Sequence, residues 1–181
     1  MPETLIVAFV PGVTPGTWER VWRERRPGGR LELRPLPQES ALAALDAGDV
    51  HMAFARDTVA DERWHAIPLY RERPVVVAPR GSLVASLDEV DLVDLEGENR
   101  LEVDLRGGDG AAAIELVAAN VGVALMPQSV ARAHSRRDVV ARPLRDAPDT
   151  GIALVWPAAA PHPLSEAFIG IVRGRTANSS R

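Results

Sequence analysis

The sequence lacks two residue types that carry much of protein chemistry. None of its 181 residues is cysteine, and all 21 basic residues are arginine, so lysine is absent as well. Without cysteine there can be no disulfide, thiol nucleophile or thiolate metal site. Without lysine there can be no Schiff base, lysine general base or phosphate-binding P-loop lysine. Candidates for catalysis are therefore limited to histidine, the acids, the hydroxyl side chains and a single tyrosine.

Long hydrophobic runs and an excess of positive charge are also missing. The apolar run from Leu5 to Val10 is too short for a signal-peptide core or a membrane span. The 25 acidic residues outnumber the 21 basic ones, which gives a net charge of −4 and argues against a large nucleic-acid footprint. We therefore expect a folded cytoplasmic protein that neither enters a membrane nor binds nucleic acid directly.

The N-terminal part of the chain alternates between strand and helix patterns. In order, the sequence predicts strand Leu5–Val10, a helix capped by Thr14 before Pro15, strand Leu31–Leu36, helix Glu39–Ala47 and strand Val50–Ala55. Pro27 and the two glycines after it predict the end of the first helix, and Gly48 predicts the end of the second. Two successive β-α-β units indicate an open parallel sheet with helices on its faces.

The rest of the chain indicates a second lobe and a return to the first. The segment Trp64–Pro79 alternates and then becomes fully apolar, which predicts one long strand that crosses between lobes. The further predicted elements are a helical turn with capping-box spacing from Ser86 to Glu89, strand Asn99–Leu105, a helix opened by Gly107–Gly110 that buries Ile114, Val117 and Val121, strand Val123–Leu125, helix Gln128–Ala133, strand Asp138–Leu144, a returning strand Gly151–Trp156 and a last helix from Pro163. We assign residues 1–76 to the first lobe, 77–157 to the second lobe with the crossing strands, and 158–181 to a helix returning to the first lobe and a frayed tail.

The order of these motifs resembles the effector-binding domain of LysR-type transcriptional regulators. The segments that carry the resemblance are LIVAFVPGVTPGTWERVWRERRPGGRLELRP, ALAALDAGDVHMAFAR, IPLYRERPVVVAP, LDEVDLVDLEG, VAANVGVALMPQSVAR, IALVWP and PLSEAFIGIVRG. The resemblance implies an α/β fold of the type-2 periplasmic-binding-protein kind, with two lobes joined by two crossing strands and a small effector between them. It also implies a sensor without a catalytic step, whose subunits associate through the helices of the first lobe.

Three departures from the family's pattern bear on function. The chain starts at the domain's first strand, so we expect the family's winged helix-turn-helix to be absent. The stretch from Glu96 to Ala113 is shorter than in the family, which indicates a shortened second lobe. Asn120 stands where the family usually has glycine, and asparagine is acceptable there because it also adopts the left-handed conformation.

The loop after the first strand is the first candidate for ligand binding. A carboxylate could rest there, because this loop leads into a helix N-terminus whose free N–H groups attract an anion. The residues concerned are Val13, Thr14, Gly16 and Thr17. The alternative is that Thr14 only caps the helix and the glycines only shape the turn.

Two arginines and two glycines complete the predicted ligand site. Arg56 follows the third strand and could bind a carboxylate through two hydrogen bonds; alternatively, it is exposed and pairs with one of the aspartates that follow it. Arg80, just past the crossing strand, has the same two interpretations. Gly107 and Gly108 open the second-lobe helix and either face the cleft or form an exposed loop.

Metal and catalytic sites find little support in the sequence. The four histidines, His51, His65, His134 and His162, form no HxH or HExxH pair, so we predict neither a metal nor a cofactor. There is no G-x-S-x-G elbow for a nucleophilic serine. The acidic residues Glu98, Glu102, Asp104 and Asp109 are interpreted as a solvated loop.

The tryptophan pair Trp18 and Trp22 forms one ridge on the first helix. Burial against the sheet is the usual explanation, and an anchor between subunits is the alternative that the resemblance offers.

Three functions remain open at this point. The leading hypothesis is a stand-alone effector-binding domain that senses a small molecule, a carboxylate by preference, and acts as a homodimer in transcriptional regulation. The second is a degenerate dimerisation or interaction module without a ligand. An enzyme on the same fold is least favoured, because no catalytic constellation is evident.

Overall fold

Two β-sheets organise the part of the chain that the computed structural model describes, residues 3–26 and 28–174. The strands are β1 (Thr4–Phe9), β2 (Arg30–Pro35), β3 (Met52–Arg56), β4 (Trp64–Glu72), β5 (Pro74–Pro79), β6 (Arg100–Leu101), β7 (Val123–Pro127), β8 (Val139–Pro143) and β9 (Thr150–Pro157). The helices are α1 (Gly16–Arg25), α2 (Gln38–Ala47), α3 (Leu83–Ser86), α4 (Ala111–Ala118), α5 (Gln128–Ala133) and α6 (Ser165–Val172), with a 3₁₀ turn at Leu92–Leu95. Pro27, in the predicted end of α1, and the predicted tail from position 175 onward lie outside the described residues.

Each sheet forms the centre of one lobe. The first lobe has the strand order β2-β1-β3-β9-β4 and carries α1, α2 and α6; the second has the order β6-β7-β5-β8 and carries α3, α4 and α5. Strand β1 pairs in parallel with β2 and β3, as two β-α-β units require. Strand β9 runs antiparallel to both β3 and β4. The predicted two-lobed α/β fold is therefore confirmed.

The passages between the lobes differ in detail from the prediction. Instead of one strand over Trp64–Pro79 there are two, with β4 in the first sheet, β5 in the second and Arg73 between them. Strand β9 pairs along its whole length with β4, so it belongs to the first sheet and the chain returns to the first lobe before Thr150. A hydrophobic pattern does not mark such a division, because strand pairing across the chain decides which sheet a strand joins.

The core of the first lobe explains the tryptophan pair. Trp22 is 2% exposed and meets the ring of Phe168 on α6 edge to face, with ring centroids 5.9 Å apart. Trp18 stacks on Phe54 of β3 at 4.6 Å. Trp22 is thus buried in the core of the first lobe against α6 and is not available as an anchor for a partner, while Trp18 packs on the sheet.

Two helix starts differ from the prediction. Pro15 rather than Thr14 is the N-cap residue of α1, and no side chain caps that helix. The predicted capping box at 86–89 is wrong, because α3 begins earlier and is capped by Ser82, whose hydroxyl accepts a bond from the Ala85 amide at 3.2 Å. A capping hydroxyl has to precede its helix, and Ser86 is instead the last residue of α3.

The second lobe has a shorter edge strand than predicted. Strand β6 contains two residues of the predicted 99–105 segment, because the chain then enters a turn around Asp104. Val121 is 45% exposed rather than buried, since α4 ends at Ala118. Asn120 has a φ of +61°, so it adopts the left-handed conformation expected of it.

Candidate functional site

Arg56 lies at the junction of the two lobes and is buried. It is the last residue of β3, and 8% of its surface is exposed. Its Nε and Nη2 donate to one carboxylate oxygen of Glu72 at 2.9 and 2.8 Å, and Nη2 also donates to the Pro11 carbonyl at 3.0 Å. The predicted alternative of an exposed pair with a following aspartate is wrong, because the side chain turns inward to Glu72.

One nitrogen of the Arg56 guanidinium has no protein partner. Nη1 is buried, and no group in the described part of the chain accepts a hydrogen bond from it. Buried donors are normally satisfied, and one left without an acceptor costs about 1–3 kcal/mol. Gln38 fixes the backbone beneath, because its side-chain amide donates to the Arg56 carbonyl at 2.8 Å and accepts from the Arg56 N–H at 2.9 Å. A rigidly held N–H group is therefore left without an acceptor in the described part of the chain.

Glu72 connects this arginine to the second lobe. Its second carboxylate oxygen accepts a hydrogen bond from the hydroxyl of Ser129, in the first turn of α5. Thr150 approaches the oxygen that Arg56 already uses, at 3.5 Å. The buried ion pair thus depends on groups from both lobes, so a change in their separation would disturb it.

The loop after β1 also touches the second lobe. Gly12 has a φ of +91°, and a Cβ at this position would collide with the Ser129 hydroxyl. Glycine is required here both for the backbone conformation and for the close approach.

Two cavities lie between the lobes. The first, which we call the proline cavity, has a volume of about 450 Å³ and is lined by Phe9, Pro11, Gly12, Pro35, Leu36, Pro37, Gly108, Asp109, Ala133 and His134. The second, the arginine cavity, has a volume of about 540 Å³ and is lined by Gln38, Glu39, Leu42, Arg56, Asp57, Thr58, Val59, Asp61, Trp64, Leu105 and Arg106. Both volumes suit a small molecule. A further cavity of about 520 Å³ beside Tyr70 is lined by first-lobe residues alone.

Two of the predicted site residues line these two cavities, and five others near the junction line neither. Arg56 lines the arginine cavity and Gly108 lines the proline cavity. Val13 is buried under the loop after β1, and the Gly107 amide donates to the Asp104 carboxylate. The exposed start of α1 carries the other three, Thr14, Gly16 and Thr17.

Arg80 is separated from the others. It follows the end of β5 that points away from the lobe junction, about 20 Å from Arg73 at the rise of a strand. There its guanidinium donates to the carbonyls of Arg137 and Val139. This arginine therefore stabilises the far end of the second sheet.

Three residues at the junction were missed in the sequence: Gln38, Glu72 and Ser129. Glu72 stands between two exposed arginines, Arg71 and Arg73, and nothing in that local pattern distinguishes it. Its partners are 16 and 57 residues away along the chain. Such a contact follows from the tertiary fold and has no short-range signal.

The described ranges contain neither a metal-binding cluster nor a membrane-spanning helix. Among residues 3–26 and 28–174, no group of three or more histidines and acids is arranged to hold a metal ion. In the same ranges, no helix is both long enough and apolar enough to cross a membrane.

A family model that matches the sequence decides to which protein family the chain belongs. The model of the LysR substrate binding domain matches residues 4–108 and 98–177. The chain belongs to the LysR substrate-binding domain family. The two matched segments overlap at residues 98–108, within the stretch that the sequence indicates to be shortened. Domains of this family bind effectors in transcriptional regulators.

Solved structures of LysR-type domains share the fold. The BenM effector-binding domain with its effector benzoate has a TM-score of 0.79 at 19% identity, over 95% of this chain and 91% of that one. A variant of the OxyR regulatory domain from Pseudomonas aeruginosa has a TM-score of 0.77 at 16% identity, over 96% of both chains. An OxyR variant from Corynebacterium glutamicum has a TM-score of 0.77 at 20% identity, over 96% of this chain and 64% of that one. The architecture is therefore the two-lobed, periplasmic-binding-protein-like one. No curated protein showed significant similarity to this chain.

Proposed function

We propose that this domain senses a small carboxylate that binds between its lobes, and that it serves transcriptional regulation. The observation that carries the proposal is the buried Arg56 guanidinium, whose Nη1 has no acceptor in the described part of the chain. An anionic oxygen at this nitrogen would form a charge-assisted hydrogen bond and remove the unsatisfied donor. Glu72 already balances the charge of Arg56, so the ligand's own charge needs further support.

The N-termini of α1 and α2 supply that support. Both helices follow strands whose carboxyl ends meet at the cleft, and a helix N-terminus carries a partial positive charge. The exposed residues Thr14, Gly16 and Thr17 remain in the proposed site for this reason. Gly107 and Gly108 form the opposite wall of the proposed site.

The walls of the proline cavity favour an apolar body on the ligand. Phe9, Leu36 and three prolines line it, with Asp109 and His134 as the charged or polar side chains among the lining residues. Benzoate, the effector in the BenM structure, combines a carboxylate with such a body. It is the natural first probe for this domain.

We further propose a homodimer that forms through the helices of the first lobe and acts in the cytoplasm, without a cofactor or a catalytic step. Dimers are typical of the family. Because Trp22 is in the core, the exposed side chains of α1 would have to form the contact.

The proposal is tested by titrating a panel of small carboxylates, benzoate included, in thermal-shift and calorimetric assays. We expect saturable binding to the wild type. The double variant Arg56→Gln with Glu72→Gln keeps a neutral hydrogen-bonded pair and should lose at least about tenfold in affinity, since bonds to charged groups contribute about 1.5–3 kcal/mol. Arg80→Gln is the matched control and should bind as tightly as the wild type. Saturable binding of no carboxylate would contradict the proposal and favour a dimerisation module.

A further inference from the structure

The turn from Asp104 to Gly108 crosses the cleft and binds the start of α2. The Glu39 N–H donates to the Arg106 carbonyl at 2.9 Å. Glu39 belongs to the first turn of a first-lobe helix, and Arg106 lies in the second lobe between β6 and α4. First-turn amides have no acceptor within their own helix, and no side chain caps α2. The opposite lobe therefore supplies an acceptor that the helix lacks.

Asp104 shapes this turn without help from the first lobe. Its Oδ1 accepts hydrogen bonds from the amides of Arg106 and Gly107, both at 2.9 Å. These bonds, first that of Gly107 and then that of Arg106, lower the pKa of the Asp104 carboxyl. A Cβ at Gly108 would come within 3.1 Å of the Asp104 carbonyl, so the turn is tight as well as hydrogen-bonded. The Arg106 carbonyl is thus held by the second lobe itself.

The contact across the cleft is weak enough to be displaced. The side chains of Arg106 and Glu39 approach to 3.1 Å, but they are 83% and 61% exposed and contribute little. The remaining bond joins an amide to a neutral carbonyl. A carboxylate oxygen makes a stronger, charge-assisted bond to amides at a helix N-terminus. An anion that reaches α2 therefore competes well against Arg106.

The same turn separates the two cavities. Leu105 and Arg106 line the arginine cavity, whereas Gly108 and Asp109 line the proline cavity. Movement of the turn would join the cavities and open a route from the apolar walls to Arg56.

We propose that the turn Asp104–Gly108 is a latch that closes the cleft in the unliganded domain, and that an anionic effector opens it by taking over the amides of α2. This inference rests on the proposed function, because it assigns the effector's carboxylate the place that the Arg106 carbonyl now occupies. It adds a mechanism by which effector binding changes the relative position of the two lobes.

Amide hydrogen exchange at Glu39, measured by NMR on the whole chain, tests the latch without any ligand. One hydrogen bond corresponds to a protection of about fivefold, which a first-turn amide otherwise lacks. Asp104→Ala should abolish this protection, and Asp104→Asn, which keeps the accepting oxygen, should retain it. Asp146→Ala is the control, since Asp146 Oδ1 also accepts a bond from a backbone amide, that of Leu92 at 2.8 Å, but lines neither cavity. An unprotected Glu39 in the wild type, or unchanged protection in Asp104→Ala, would overturn the latch.

A second measurement connects the latch to the effector. Benzoate should bind Asp104→Ala about fivefold more tightly than the wild type, because no energy is spent on opening the latch. Equal affinity of the two proteins would overturn the latch and leave the proposed function standing. If neither protein binds benzoate or any other carboxylate of the panel, the effector-controlled latch falls together with the proposed function.

Discussion

Removal of the Glu72 carboxylate is the sharpest perturbation of the lobe junction. In Glu72→Ala the Arg56 guanidinium stays in a site where 8% of the residue is exposed and loses the carboxylate with which it pairs in the described part of the chain. The hydroxyl of Ser129 loses its acceptor at the same time. Breaking a buried ion pair by deleting one partner costs about 3–5 kcal/mol. We therefore expect the free energy of unfolding to fall by about 4 kcal/mol.

Urea and thermal denaturation followed by circular dichroism measure this loss. For a chain of this length, 1 kcal/mol corresponds to a shift of about 2–4 °C, so the Tm should fall by about 8–16 °C. Glu24→Ala is the control, because Glu24 pairs with Arg20 at 3.2 Å on the surface of α1, where the side chains are 60% and 63% exposed. That change should cost less than about 0.5 kcal/mol.

A double variant tests whether the charges or the shape of the Arg56–Glu72 pair determine the stability of the fold. Arg56→Met with Glu72→Leu removes both charges and should be clearly more stable than Glu72→Ala, since no unpaired ion is left buried. A free energy of unfolding of Glu72→Ala within about 1 kcal/mol of the wild type would contradict this expectation, and so would a double variant as unstable as the single one.

Three further changes address the core, the pH dependence and the loop after β1. Trp22→Ala removes an indole packed on Phe168 and should cost about 3–5 kcal/mol in urea denaturation. Burial, followed by the charge effects of nearby basic groups, lowers the pKa of His51, whose Nδ1 accepts a backbone N–H at 2.9 Å. The resulting stability is present above the unfolded pKa of about 6.5 and is lost as the pH falls through the lower folded pKa, so acid titration of stability should show a step that His51→Gln removes. Gly12→Ala places a Cβ against Ser129 at a positive φ and should cost roughly 1–3 kcal/mol, with a larger radius of gyration in X-ray scattering.

For each of these three predictions, one outcome would contradict it. A loss below about 1 kcal/mol in Trp22→Ala would mean that the indole is not in the core. An acid profile that His51→Gln leaves unaltered would assign the pH dependence to other groups. Unchanged stability and scattering in Gly12→Ala would show that the loop does not touch α5 in solution.

The elements of the first lobe could be predicted from the sequence because their signals are local. The continuous apolar run at Leu5–Val10 and the left-handed cap at Gly48 need only the chemistry of neighbouring residues. The division at Arg73 could not be seen, since strand patterns lie on both sides of it. A lobe boundary is a property of strand pairing across the chain.

Less of the candidate site could be predicted from the sequence, for the same reason. Arg56 was selected by its place after a strand, but its partner Glu72 is identified only once the sheets are assembled. Asp104 followed closely by two glycines is a turn pattern that short-range chemistry can reveal, yet its contact with Glu39 spans the cleft. Local chemistry predicts the parts, and the tertiary fold decides which of them meet.

The most direct test of the central claim is a crystal structure of the domain with a carboxylate from the panel bound. We expect one ligand oxygen about 3 Å from Arg56 Nη1, between the start of α2 and the turn Asp104–Gly108. A ligand seated instead in the cavity beside Tyr70, with Nη1 still lacking an acceptor, would contradict it.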